Sequence, residues 1–133
     1  MQKLVKLGVG AMAGLMISMG AAQAATVDGV WRTEAGWKVK MYKCGGAYCG
    51  KVVGGVTGKD VKNANKALRK RNIVGIRMIW GMKKTKSGFA GKLYNAKDGK
   101  TYTGKISNVT GKSMKLSGCA FGGLVCRSQT WRK

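Results

Sequence analysis

Histidine and proline are both absent from the 133 residues, and only Asp28, Glu34, Asp60 and Asp98 are acidic, against 26 lysines and arginines. Without histidine there is no catalytic triad, no imidazole general base and no His-ligated metal centre of the usual kinds. Four acids scattered singly supply neither the paired carboxylates of a glycosidase nor the carboxylate cage of a Mg²⁺ or Ca²⁺ site. No G-x-S-x-G or S-x-x-K motif stands in a strand-to-helix setting, and Met41, Met78, Met82 and Met114 are too dispersed for a thioether copper site. The sequence therefore predicts no catalytic residue, no metal, no cofactor and a non-enzymatic protein.

What is present begins with an export signal. Lys3 and Lys6 precede an apolar run over residues 7–19, and small residues end in Ala22-Gln23-Ala24, an A-x-A cleavage site. The run is shorter than the roughly 20 apolar residues a membrane span needs, and no second long apolar stretch follows. Cleavage after Ala24 is expected, leaving residues 25–133 as a single domain, periplasmic or secreted, without a transmembrane span. The whole chain carries +22, and loss of Lys3 and Lys6 leaves +20 on that domain.

The cysteines fit an oxidising compartment. Cys44 and Cys49 flank Gly45-Gly46-Ala47-Tyr48, while Cys119 and Cys126 flank a second glycine-bearing turn containing Gly122 and Gly123. Two sulfurs can meet across such hairpins, so Cys44–Cys49 and Cys119–Cys126 disulfides are expected. A four-thiolate zinc site would call for tighter C-x-x-C knuckles and reduced thiols.

Along the domain, Trp37, Val39 and Met41 alternate with Lys38, Lys40 and Tyr42, the period of a half-buried strand. Similar segments cover residues 30–34, 37–44, 49–54, 73–82, 88–94, 101–107, 112–118 and 125–132. Asp98-Gly99 and Thr110-Gly111 read as hairpin turns between them. Residues 59–72 break the pattern with a charged stretch holding Val61, Ala64 and Leu68 at helical spacing, which predicts a loop with one or two helical turns. The fold class is all-β, with about eight strands connected as neighbours in an up-and-down antiparallel β-barrel or a β-sandwich.

Several motifs occur in order along the domain: Gly29-Val30-Trp31-Arg32-Thr33, Tyr42-Lys43-Cys44-Gly45 with Tyr48-Cys49-Gly50, Ala67-Leu68-Arg69, Gly75, Asp98-Gly99-Lys100-Thr101-Tyr102, and Gln129-Thr130-Trp131. Together they resemble the bacterial exported family catalogued as domain of unknown function 2147. The resemblance implies a lipocalin-like, calycin-type barrel with no catalytic residues to carry over. Gly29-x-Trp31 also looks like the opening motif of lipocalins, which implies that Trp31 packs at the closed end beneath a cation, with Arg127 or Arg132 as the candidate.

A barrel of this size is just wide enough for one small apolar or amphipathic ligand. Candidate lining residues are Trp37, Met41, Met78, Trp80, Phe89, Tyr94 and Tyr102, although the same side chains could simply fill the interior. The alternative expectation is a cationic surface for lipopolysaccharide, anionic lipid or DNA, carried by Lys66, Arg69, Lys70 and Arg71 with Lys83, Lys84 and Lys86. Neither the oligomeric state nor the ligand's identity is encoded in a motif.

Overall fold

The computed structural model describes residues 26–133, so the expected signal segment and its cleavage site lie outside the described residues. Eight strands form: β1 Gly29–Arg32, β2 Lys38–Cys44, β3 Ala47–Gly54, β4 Arg77–Thr85, β5 Gly88–Asn95, β6 Lys100–Ser107, β7 Ser113–Ala120 and β8 Val125–Arg132. Each pairs antiparallel with its neighbour in sequence, and β8 returns to β1, closing an up-and-down barrel. Alternation drives the arrangement: along β2, Val39 and Met41 are buried while Lys38 and Lys40 face water. The sandwich alternative is thereby resolved in favour of the barrel.

Up-and-down connectivity divides the connections between two ends. Residues 33–37, 55–76, 96–99 and 121–124 lie at one end; residues 45–46, 86–87 and 108–112 lie at the other, together with the approach to β1 and the exit from β8. The two disulfides pair as the spacing predicts, Cys44–Cys49 across β2 and β3 and Cys119–Cys126 across β7 and β8.

The end holding the approach to β1 is packed shut. Trp31 is fully buried and its Nε1 donates to the Val27 carbonyl at 2.9 Å. Lys133 Nζ stands 4.9 Å from the centre of its ring, so the cation above Trp31 is Lys133 rather than Arg127 or Arg132. Val39, Met41, Val52, Ile79, Met82, Ile106 and Met114 are all at most 1% exposed. Two glycines let this core close: a methyl group on Gly50 would lie 2.7 Å from Met41 Sδ, and one on Gly104 would lie 2.6 Å from Met82 Cε.

The segment that sequence places in a strand over residues 73–82 enters the sheet only at Arg77. Gly75 has φ +106°, donates to the Val52 carbonyl at 2.8 Å, and turns the chain before β4 begins. The preceding connection has one 3-10 turn, Lys66–Leu68, capped by the Asn65 side chain. Its anchor is Asp60, a fully buried carboxylate that accepts from Tyr94 OH at 2.6 Å, Asn63 Nδ2 at 2.8 Å and Arg71 Nε at 3.0 Å. Burial opposes its ionisation, but these three donors and the Arg71 charge outweigh burial and hold the carboxyl below its usual value.

Candidate ligand cavity at the open end

At the opposite end the barrel is hollow. A cavity of about 800 Å³ opens between the 33–37, 96–99 and 121–124 connections. Met78, Leu93, Leu116 and Trp131 form its apolar floor, while Trp37, Tyr102, Phe121, Lys97 and Arg127 stand toward the rim. Space exists because inward positions of β7 and β8 that could have carried large apolar chains hold Gly118, Ala120, Arg127 and Gln129 instead.

The acids at this mouth already have local partners. Tyr102 OH donates to Asp98 Oδ2, and the Lys100 amide donates to Asp98 Oδ1 at 2.9 Å. The hydrogen bond to Asp98 pushes the Tyr102 phenol above its ordinary value, the opposite of what a tyrosine nucleophile or base would need. Glu34 Oε2 accepts from the Thr130 amide at 2.9 Å, and the Gln129 side-chain oxygen accepts from the Glu34 amide at 3.1 Å and from Trp131 Nε1 at 2.9 Å. This reciprocal pair continues the β1–β8 seam past its single residue pairing, Arg32 with Arg132.

The cations are free by comparison. Among the described residues the one ion pair is Arg71–Asp60, so neither Arg127 nor Lys97 has a carboxylate within 4.0 Å. Lys97 Nζ lies 5.9 Å from the Trp37 ring centre, the outer reach of a cation–π contact. The cavity thus pairs an apolar floor with a rim that carries two cations, Lys97 and Arg127, and two acids, Glu34 and Asp98, with no ion pair among them within 4.0 Å.

Of the seven lining residues expected from sequence, Trp37, Met78 and Tyr102 meet in this cavity. Met41 fills the closed core, and Phe89 packs edge-on against Tyr48 with ring centres 5.7 Å apart. Trp80 and Tyr94 line a separate cleft of about 240 Å³ with Arg71 and Arg77. There Tyr94 is pushed up to about 12 by burial and by its hydrogen bond to Asp60. The expected cationic surface is divided: Lys66, Arg69, Lys70 and Arg71 belong to the 55–76 connection at the open end, whereas Lys83, Lys84 and Lys86 lie at the closed end.

Arg127 and Gln129 also line the cavity, although neither is among the lining residues expected from the sequence. Their signal was the period of two along β8, where Val125, Arg127, Gln129 and Trp131 share the inward face. Among the described residues no group of three or more histidines, cysteines or acids is gathered as metal ligands.

A closed eight-stranded antiparallel barrel, corked at one end and hollow at the other, defines a lipocalin-like fold. The solved structure of protein HP1028 from the human pathogen Helicobacter pylori, described as belonging to the lipocalin family, superposes with a TM-score of 0.75 at 22% identity, covering 83% of this chain and 84% of that one. Residues 29–133 match the family described as "Uncharacterized protein conserved in bacteria (DUF2147)", and the chain belongs to that family. None of the curated proteins matches the chain.

Proposed function

We propose that this chain is an exported, non-enzymatic binding protein that holds one small amphipathic molecule of the bacterial envelope, its apolar part on the cavity floor and an anionic head between Arg127 and Lys97. The observation that carries this reading is the 800 Å³ cavity whose floor is apolar and whose rim cations lack carboxylate partners. Its volume lies within the roughly 300–1,000 Å³ of small-molecule sites. A charged head supplied by the ligand would give Arg127 and Lys97 a direct ion-pair partner, which neither has within 4.0 Å. Export is supported by the two disulfides and by the family's bacterial membership; among the described residues, no helix is long and apolar enough to cross a membrane.

Native mass spectrometry of protein matured in a bacterial periplasm tests the reading directly. A stoichiometric small molecule should accompany the folded protein, and the denatured mass should report loss of residues 1–24 and of four hydrogens for two disulfides. Titration with a fluorescent fatty acid and with the matching neutral alcohol then separates floor from rim. Arg127→Gln should weaken the acid about tenfold and leave the alcohol within about twofold, one charge-assisted contact's worth. Filling the floor with Gly118→Leu should abolish both. An empty native mass together with no saturable uptake of either probe would end the proposal.

A further inference from the structure

The two ends of the barrel also differ on their outer surfaces. Phe121 is 78% exposed, Leu124 86% and Val125 50%, all on the short connection between β7 and β8 or beside it. Val61 and Val74, the exposed apolar residues of the 55–76 connection, are at the same end. The remaining exposed large apolar side chains, Val30 and Val53, lie within strands, and the closed-end connections carry none. Five of seven such residues therefore lie at the open end of the barrel.

The 121–124 tip is held in shape. The Cys119–Cys126 disulfide brackets it, and the Leu124 amide donates to the Phe121 carbonyl at 3.2 Å. Phe121 itself sits at φ +52°, a left-handed conformation that a bulky residue adopts at a cost of order 1 kcal/mol. A strained backbone that keeps a phenyl ring in water asks for a medium other than water. The surroundings specify that medium: Lys62, Lys66, Arg69 and Lys70 occupy the 55–76 connection, and Lys97 and Arg127 stand at the rim. Apolar tip and cations on one end match a surface whose interior is apolar and whose face is anionic.

We propose that the open end docks on an anionic lipid bilayer, with Phe121 and Leu124 inserted among the acyl chains and Lys62, Lys66, Arg69 and Lys70 of the 55–76 connection on the phosphates, so that the cavity faces the membrane. Leu124 and the four cations of the 55–76 connection do not line the cavity, and Phe121 stands only at its rim, so docking does not require an occupied cavity.

The test uses residues 25–133, which contain the entire barrel, with vesicles of phosphatidylethanolamine and phosphatidylglycerol. Flotation should recover the protein with these vesicles and lose it progressively as salt rises, while vesicles of phosphatidylcholine alone should retain at least tenfold less. Phe121→Ser with Leu124→Ser should weaken flotation tenfold or more, since each lost side chain removes a full insertion contact, yet leave the unfolding midpoint unchanged because both are already exposed. Phe121→Trp should show vesicle-dependent blue-shifted emission, quenched by brominated acyl chains. Gly118→Leu, which fills the cavity, should still float, so failure of ligand uptake and failure of docking are read separately. Equal flotation of the double-serine variant, absence of bromine quenching at position 121, or a dimer in solution that the serine changes dissolve would each overturn the proposal.

Discussion

The lower and upper halves of this barrel follow the same alternation and reach opposite results. In the closed half the inward positions hold Val39, Met41, Ile79, Met82, Ile106 and Met114, which meet across the axis and leave no room. In the open half the inward positions of β7 and β8 hold Gly118, Ala120, Arg127 and Gln129, which cannot meet. Facing inward is a matter of backbone period, whereas filling is a matter of volume, and a cavity arises where the second is withheld.

The sharpest break of this contrast is a matched truncation. Met82→Ala should cost about 3 kcal/mol, since it removes a side chain against which Gly104 is already in contact. Met78→Ala, on the cavity floor, should cost about 1 kcal/mol because one side of that residue already faces space. Urea unfolding of both measures the difference, and equal costs would mean that the upper half is packed as tightly as the lower.

Next in size is the Cys119–Cys126 bridge beside the mouth. Replacing both cysteines by serine should lower stability by about 2 kcal/mol, because the bridge closes only a short loop in the unfolded chain. Asp60→Asn, which puts a donor amide where the carboxylate accepts three hydrogen bonds, should also cost about 2 kcal/mol at neutral pH. This variant also changes the pH dependence. The folded Asp60 carboxyl titrates below the ordinary 3.8, so in that interval the unfolded chain binds the proton more readily. Its contribution is therefore complete above 3.8 and is lost as pH falls through the folded value, and the acid limb of a stability profile should flatten in the asparagine variant.

Tyr94 gives the alkaline counterpart. An unfolded tyrosine loses its proton near 10 and the folded one near about 12, so the stabilisation is whole below 10 and drains as pH climbs toward 12. Ultraviolet titration should show one phenol ionising near 12 and missing from Tyr94→Phe. The smallest effect belongs to Arg127→Gln, which should change the unfolding free energy by less than about 0.5 kcal/mol, since the guanidinium is exposed and unpaired. A large loss there would recast Arg127 as a structural residue.

The strands and both disulfides were legible because alternation, glycine turns and cysteine spacing are local signals, whereas those signals fit a barrel and a sandwich equally and only the family resemblance favoured closure. Depth along the axis is not local, so residues chosen for size separated: Met41 went into the plug, Tyr94 to the outer cleft, and Trp37 to the mouth. The residues around Trp80 are ambiguous for a further reason. They are apolar at successive positions, and the pairing of β4 with β5 shifts register between Trp80 and Lys83, so period alone does not say which side faces in. The Trp31 ring was recognisable as the closure, but the identity of its cation depended on where the chain leaves β8. The small and polar inward residues of β7 and β8 were readable in principle, since Gly118, Arg127 and Gln129 lie in phase with Leu116 and Trp131.

The seam between β1 and β8 has a consequence for the protein in a crowd. A closed ring presents no strand edges, and this ring is completed by one residue pairing and by the hydrogen bonds in which the Gln129 side chain accepts from the Glu34 amide and the Glu34 side chain accepts from the Thr130 amide. Parting it turns the barrel into an eight-stranded ribbon with two bare edges, each able to template another chain. Those two side chains are thus guards against aggregation, and their loss should be felt first as turbidity in concentrated protein rather than as a change in what the cavity holds.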